Sequence, residues 1–141
     1  MGSYKVFVIP LLCGIFAQVL KVIFTYFRER RIDFRRFIEP GGMPSAHAAA
    51  VASLSSAVGI QEGMVSPLFG VTLFFSLVIM YEAAGVRRAA GRQAEVLNRI
   101  IDELFAERRI PPTHLRELLG HTSIEVLVGA LMGIIITLLF Y

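Results

Sequence analysis

The sequence is poor in cysteine, and this scarcity excludes two kinds of chemistry. Its 141 residues include one cysteine, Cys13, so the chain has neither an intrachain disulfide framework nor a cysteine cluster for a metal. Cys13 lies inside an apolar run, and we interpret it as a small hydrophobic residue.

Charged residues are also scarce. They make up 18% of the chain, whereas hydrophobic residues make up 55%, and the mean hydropathy is +0.66. This composition is too apolar for an ordinary soluble domain of this size. The length fits one domain, and we expect residues 1–141 to form a single membrane-embedded unit.

Four apolar segments are candidates for membrane-spanning helices: residues 6–27, 45–60, 68–84 and 123–141. The first is too long for a signal-peptide core and lacks a cleavage site. The second is short, but small residues cover all its faces, which is typical of a helix buried among other helices. Residues 89–106 repeat apolar side chains at helical spacing opposite charged ones. The sequence therefore predicts an all-α, polytopic integral membrane bundle with about four transmembrane helices and one amphipathic interfacial helix.

The basic residues predict how these helices are oriented. Of the fourteen lysines and arginines, twelve fall within residues 28–36 and 87–116, and residues 61–67 contain none. An excess of basic residues marks cytoplasmic loops. With an even number of spans, both termini are then expected outside. The separation of these cations by apolar segments favours anionic lipid headgroups over nucleic acid as the partner.

Polar residues that need an explanation gather at the predicted cytoplasmic boundary. Lys21 lies about two turns inside the cytoplasmic end of the first predicted span. The others lie at or next to the ends of the other spans: Ser45, His47, Glu82, Arg87, Arg88, His121 and Glu125. Two histidines, two helix N-termini and several cations suit phosphoryl transfer. Cations and helix amides neutralise phosphate oxygens, while one imidazole attacks and another protonates the leaving oxygen.

Each candidate also has a structural alternative. Glu125 can close a capping box with Thr122. Lys21 can extend its ammonium to the interface, and Glu82 can form an ion pair with an arginine or with Lys21. Residues 28–36 are expected to set the topology. A further alternative is a divalent metal held by four side chains: His47, His121, Glu82 and Glu125.

Three segments together resemble a known superfamily. They are residues 41–47 (GGMPSAH), residues 81–94 (YEAAGVRRAAGRQA) with Leu97 and Asn98, and residues 120–126 (GHTSIEV). These segments are similar to the divergent branch of the type 2 phosphatidic acid phosphatase and vanadium-dependent haloperoxidase-related superfamily. The similarity extends over nearly the whole chain, from Lys21 to Gly133.

The resemblance implies roles for individual residues. By that pattern His47 is the general acid, His121 is the nucleophile, and Glu125 is the carboxylate that orients it. Lys21 stands for the phosphate-binding lysine of the first motif. Four further residues are implied as phosphate ligands by their position: Ser45, Arg87, Arg88 and Arg92.

The sequence departs from the superfamily pattern at three places. No Arg-Pro pair follows Lys21 at the usual spacing. Ala46 replaces the usual glycine before His47, and Leu115 and Arg116 stand where a serine-arginine pair would precede the nucleophile. These departures keep a second interpretation open, in which the chain binds or transports anionic lipids without turnover.

The leading expectation is an integral membrane phosphatase that acts on a lipid phosphate or diphosphate from the cytoplasmic side. The resemblance implies no metal or other cofactor. The expected partners are the lipid substrate and anionic headgroups. A homodimer is a further expectation, because Gly129 and Gly133 have the small-xxx-small spacing of helix interfaces in membranes.

Overall fold

Five α-helices appear in the structure, a computed structural model that describes residues 4–30, 42–105 and 121–141. They are, in chain order, α1 (Lys5–Glu29), α2 (Ala46–Glu62), α3 (Pro67–Ala84), α4 (Val86–Phe105) and α5 (Ser123–Phe140). These described residues contain no β-strand. The predicted all-α fold is confirmed.

Within the part of the chain that the structure describes, three helical segments are long and apolar enough to cross a membrane: Lys5–Phe27, Pro67–Glu103 and Ser123–Phe140. The second of them runs from α3 into α4, which are separated by Gly85 alone. The other candidate, α2, has 17 residues and is about 25 Å long at 1.5 Å per residue. That is less than the hydrocarbon core of a bilayer, about 30 Å. Three of the four predicted spans therefore have the required length and apolarity, and α2 differs from them in being shorter and built of small residues.

Local sequence signals start α2 and α3. Ser45 is the N-cap of α2, and its hydroxyl oxygen accepts a hydrogen bond from Ala48 N–H at 3.4 Å. Ser66 is the N-cap of α3 and accepts one from Phe69 N–H at 3.2 Å. Pro67 follows at the first helical position, where a helix leaves the N–H unbonded in any case. These caps satisfy backbone N–H groups that have no partner within the first turn.

The short helix α2 is the centre of the bundle. It contacts α1, α3 and α5, and its buried residues are almost all small: Ala48, Ala49, Ala52, Ser53, Ser55, Ala57, Val58 and Gly59. Small side chains allow the neighbouring helices to approach the α2 backbone closely. The prediction that the second apolar segment is buried among other helices is confirmed.

Helix α5 packs against α2 through two buried glycines. Gly129 lies against the backbone of Ser45, and Gly133 lies against the backbone of Ala49 one turn further along. A Cβ at either position would collide with a carbonyl oxygen of α2. This surface is occupied within the chain, so a homodimer, which stays a prediction, needs a surface other than the one that the glycine spacing suggested.

Buried hydroxyl groups join the same helices. Ser53 Oγ of α2 and Thr137 Oγ1 of α5 are 2.7 Å apart, and both side chains are fully buried. Ser55 Oγ of α2 and Ser76 Oγ of α3 are 3.0 Å apart. Because lipid offers no water to these groups, each pair stabilises the contact between its two helices.

The predicted amphipathic segment forms α4. On its apolar side Val96, Leu97 and Ile100 are exposed. On its polar side Arg99 Nη2 donates to Glu95 Oε1 at 2.6 Å. An exposed apolar stripe beside a charged face is typical of a helix that lies at the membrane interface.

The two ends of the bundle bring different elements together. At one end Lys5 Nζ donates to the Tyr141 carbonyl oxygen at 2.7 Å, and the Tyr141 hydroxyl donates to Gln61 Oε1 at 2.6 Å. These bonds join the start of α1 to the ends of α2 and α5. At the opposite end Lys21 of α1 lies beside Gly42, in the turn before α2, and Ser45 N–H at the start of α2 donates to the Glu125 carbonyl oxygen of α5.

We expect Thr137→Val to destabilise the bundle, because valine has the same shape but offers Ser53 no hydroxyl. The expected loss in the free energy of unfolding is about 0.6 kcal/mol and at most about 1.7 kcal/mol, as for other hydrogen bonds between membrane helices. Reversible unfolding in mixed detergent micelles measures it.

Thr72→Val is the matched control for this substitution. The Thr72 hydroxyl donates to the Leu68 and Phe69 carbonyl oxygens of its own helix. Equal losses in the two variants would contradict an interhelical role for the Thr137 hydroxyl.

Candidate active site

His121 is almost completely buried just before α5 begins. Its side chain is 3% exposed, and its Nδ1 atom lies 3.3 Å from Oε2 of Glu125. Because Thr122 is the N-cap of α5, His121 lies just outside the helix and contacts Glu125 in its first turn. When the carboxylate holds Nδ1–H, the Nε2 lone pair is the one left for chemistry.

The same carboxylate also caps the helix. Glu125 Oε2 accepts a hydrogen bond from Thr122 N–H at 2.9 Å, and Thr122 Oγ1 accepts one from Glu125 N–H at 3.3 Å. The two residues therefore form the capping box that the sequence allowed. Glu125 therefore caps α5 and contacts the imidazole at the same time, because the capping box holds its carboxylate beside His121.

Lys21 is buried within the protein, at 3% exposure. Its side chain passes beside Gly42, so that a Cβ at position 42 would lie 3.3 Å from Cε and 3.4 Å from Cγ of Lys21. Gly42 has a φ of 86°, a conformation that residues with a side chain rarely adopt. A lysine that extends to the membrane interface keeps its ammonium in water, whereas this one packs against the turn that leads into α2.

Charges from three helices act on His121. Burial lowers the pKa of the His121 imidazole below its ordinary value, and this is the largest effect. The hydrogen bond and charge of Glu125 raise that pKa, whereas the positive charges of Lys21 and His47 lower it further. The fold thus brings α1, α2 and α5 within electrostatic reach of one another here, and the lowered pKa favours the neutral, nucleophilic imidazole.

Ser45 joins the two helix starts through its backbone. Its side chain is fully buried, and its N–H donates to the Glu125 carbonyl oxygen at 3.1 Å. The Ser45 hydroxyl, a predicted phosphate ligand, caps α2. His47 follows in the first turn of α2 with an exposed side chain. The site therefore has one buried histidine and one that solvent reaches.

The predicted arginine ligands lie near the start of α4. Arg87 and Arg88 are in its first turn, where the structure describes the backbone alone, and Arg92 is exposed one turn later. Residues 31–36 and 106–116 of the basic stretches lie outside the described residues. A part for the arginines in phosphate binding stays a prediction.

The described geometry does not support the metal alternative. Glu82 is exposed in the last turn of α3. Among residues 4–30, 42–105 and 121–141, no three His, Cys, Asp or Glu side chains come together as a group that could hold a metal ion. Zinc sites use at least three protein ligands, so the four residues proposed for that alternative do not form such a site here.

Two glycines of this site carry no catalytic signal in the sequence. Gly42 belongs to the turn before Pro44, and its lack of a Cβ leaves room for the side chain of Lys21. Gly129 is recognisable as half of a small-xxx-small pair, but the spacing does not identify Ser45 as its neighbour. Their nearness in the chain to the histidine motifs is the one feature that could have marked Gly42 and Gly129 as part of the site.

Comparison with known proteins gives a family and a relative. A family described as the "Divergent PAP2 family" matches residues 3–136. The uncharacterized membrane protein YuiD of Bacillus subtilis (strain 168) is 42% identical over 135 residues, which cover 88% of this chain and 85% of that protein. No solved structure matches the chain. The family match includes all the candidate site residues and every helix except the last turn of α5.

We expect Glu125→Gln to lower the pKa of His121 further below its ordinary value. The carboxylate charge that raises this pKa is lost, while burial and the positive charges that lower it remain. Titration of ring-labelled histidines by NMR in micelles measures the shift. Glu95→Gln is the matched control, because Glu95 pairs with Arg99 on α4 and should leave the His121 titration unchanged. A shift to higher pKa in Glu125→Gln would contradict the described contact.

Proposed function

The chain belongs to the divergent PAP2 family, and from that membership and the geometry around His121 we propose that it is an integral membrane phosphatase. Its substrate is a lipid phosphate or diphosphate, and the reaction passes through a phosphohistidine intermediate. The observation that carries this proposal is the buried imidazole of His121 with Nδ1 beside Glu125 Oε2. That contact leaves Nε2 as the attacking atom.

In the first step His121 Nε2 attacks phosphorus, and the bond between phosphorus and the leaving oxygen breaks. Glu125 holds Nδ1–H and stabilises the positive charge that develops on the ring. His47 gives its proton to the leaving oxygen. The lipid alcohol, or the lipid monophosphate from a diphosphate, departs, and the phosphoryl group remains on Nε2.

In the second step a water molecule attacks the phosphohistidine. His47, now neutral, takes a proton from that water as general base. The bond between phosphorus and Nε2 breaks, inorganic phosphate leaves, and His121 returns to its neutral form. The exposure of His47 suits this exchange of protons with solvent.

Phosphate binding is assigned to the cations and helix starts around His121. The positive charges of Lys21 and His47 disfavour protonation of the His121 imidazole, and a phosphoryl group brings negative charge that both of these cations can bind. The N-terminus of α2 adds oriented N–H groups. We assign further phosphate contacts to four residues at this end: Ser45, Arg87, Arg88 and Arg92. In this scheme the cations of the protein neutralise the phosphate oxygens, and no metal is required.

The proposed site faces the cytoplasm. Twelve of the fourteen basic residues fall in the stretches that adjoin this end of the bundle, as cytoplasmic loops would. The hydrogen bond between Lys5 and Tyr141 joins the start of α1 to the end of α5 at the opposite end, which supports an even number of crossings. A headgroup then enters from the cytoplasmic side while its tails stay in the hydrocarbon.

We expect the purified protein in detergent to release inorganic phosphate from a panel of phosphatidic acid, phosphatidylglycerol phosphate and isoprenoid diphosphates. His121→Ala should release none above background. His47→Ala should be slower by about 100-fold to 10,000-fold, the usual contribution of a general acid. His114→Ala is the matched control, because no motif surrounds the third histidine of the chain. Release at the wild-type rate by His121→Ala would rule out the assigned nucleophile.

We also expect vanadate to inhibit this release and prior removal of divalent metals to leave it unchanged. Vanadate adopts the five-coordinate geometry of the phosphoryl group under attack, and the cations of the site favour its charge. The measurements are inhibition curves and metal analysis of chelator-treated, active protein. Activity that disappears with the chelator and returns with one divalent ion would contradict the metal-independent mechanism.

A second candidate function is binding or transport of anionic lipids without turnover. The absence from the sequence of the usual Arg-Pro pair after Lys21, and of a serine-arginine pair at Leu115 and Arg116, favours it. Lipid binding that persists in His47→Ala and His121→Ala, with no phosphate released from any member of the panel, would support this function over hydrolysis.

A further inference from the structure

One backbone hydrogen bond joins the residues that position the two candidate catalytic histidines. Ser45 N–H donates to the Glu125 carbonyl oxygen at 3.1 Å. Ser45 is the N-cap of α2, whose first turn carries His47. Glu125 contacts the imidazole of His121 through its side chain. The relative position of the two imidazoles therefore depends on how closely the start of α2 approaches the first turn of α5.

Gly129 permits this close approach. It is buried one turn after Glu125, and a Cβ on it would lie 3.1 Å from the nitrogen and 3.2 Å from the carbonyl carbon of Ser45, and would collide with the Ser45 oxygen. Backbone atoms cannot turn aside as the tip of a flexible side chain does. Any larger residue at this position must separate the start of α2 from α5.

Gly133 makes the same kind of contact further from the site. A Cβ on Gly133 would lie 3.0 Å from the carbonyl carbon of Ala49 and would collide with its oxygen. At 1.5 Å per residue, Gly133 is about 12 Å along the helix from Glu125, and Gly129 is about 6 Å from it. The two glycines thus impose the same steric requirement at two distances from Glu125, the residue that contacts His121.

We propose that Gly129 is a positioning residue for phosphoryl transfer. It lets the start of α2 bond to the first turn of α5, and so sets the spacing between the imidazoles of His47 and His121. Attack on phosphorus and protonation of the leaving oxygen occur in one step, so the two groups must be held at a fixed separation. This inference rests on the function proposed above.

The first experiment compares Gly129→Ala with Gly133→Ala, each assayed per amount of folded protein. Gly129→Ala should lower kcat by about 100-fold, the effect of misplacing a catalytic group by about 1 Å. Its KM should rise by a smaller factor, because Ser45 and the start of α2 move while Lys21 and the arginines assigned to phosphate stay in place. Gly133→Ala should lose stability but keep kcat. Equal kcat values in the two variants would overturn the proposal.

A second readout does not depend on catalysis. Diethyl pyrocarbonate modifies accessible neutral imidazoles, and mass spectrometry of peptides gives a rate for each histidine. In wild type and in Gly133→Ala, the buried His121 should react much more slowly than the exposed His47. In Gly129→Ala, His121 should react faster, because parting the helix starts admits the reagent.

The two readouts separate failure of this inference from failure of the proposed function. If wild type releases no phosphate but the modification pattern appears, the phosphatase assignment fails and the coupling of the helix starts stands. If wild type releases phosphate while Gly129→Ala behaves like Gly133→Ala in both measurements, the inference alone fails.

The wild-type protein supplies a test that holds even if Gly129→Ala does not fold. The N–H of an N-cap residue has no partner within its own helix, so it is protected from hydrogen exchange only if another element binds it. In protein labelled with ¹⁵N-serine, the Ser45 amide should exchange much more slowly than the amide of Ser123, the exposed first residue of α5. Equal exchange rates would overturn the proposal.

Discussion

Where α5 meets α2, two glycines bring backbone against backbone, and much of the bundle is organised around that contact. Gly129 and Gly133 leave no side chain between the helices, so the Ser45 N–H reaches the Glu125 carbonyl oxygen. One turn beyond Gly133, the hydroxyl oxygens of Ser53 and Thr137 are 2.7 Å apart. In lipid, helices associate through such close packing and polar contacts rather than through a hydrophobic driving force. The same contact brings the starts of the two helices together at the candidate site.

The site concentrates ionisable groups in a place where charge is costly. Lys21 and His121 are each 3% exposed, and the positive charge of Lys21 disfavours protonation of His121. Buried polar groups of this kind are retained where they are paired or where they bind something. Glu125 is a partner for His121, because the carboxylate oxygen that caps the helix also contacts the imidazole. Under the proposed function, the phosphate of an anionic lipid brings negative charge to this site.

Membership of the divergent PAP2 family fits a chain that keeps part of its superfamily pattern and departs from the rest. The histidine motifs begin α2 and α5, and Lys21 lies in the last turns of α1, so the elements that carry the retained motifs meet in the fold. The missing arginine motifs belong to segments around residues 22–41 and 106–120. Arg87 and Arg88 are the second and third residues of α4, and this is where a substitute set of phosphate ligands is proposed.

The sequence by itself determined the helices, their order and the end of the bundle at which the polar residues gather. Apolar length, N-cap serines and the distribution of arginines are local properties, and each acts on its own segment whatever the rest of the chain does. The sequence also predicts the burial of α2, because small residues on every face of a helix favour close packing against other helices in a membrane.

The tertiary structure alone decided which faces meet. Lys21 could have extended to the interface, but the missing Cβ of Gly42 makes room for it inside the protein. Gly129 and Gly133 could have faced a second copy, but they pack against Ser45 and Ala49 of the same chain. These outcomes depend on contacts between residues far apart in the sequence, and a local pattern does not encode which partner occupies a given face.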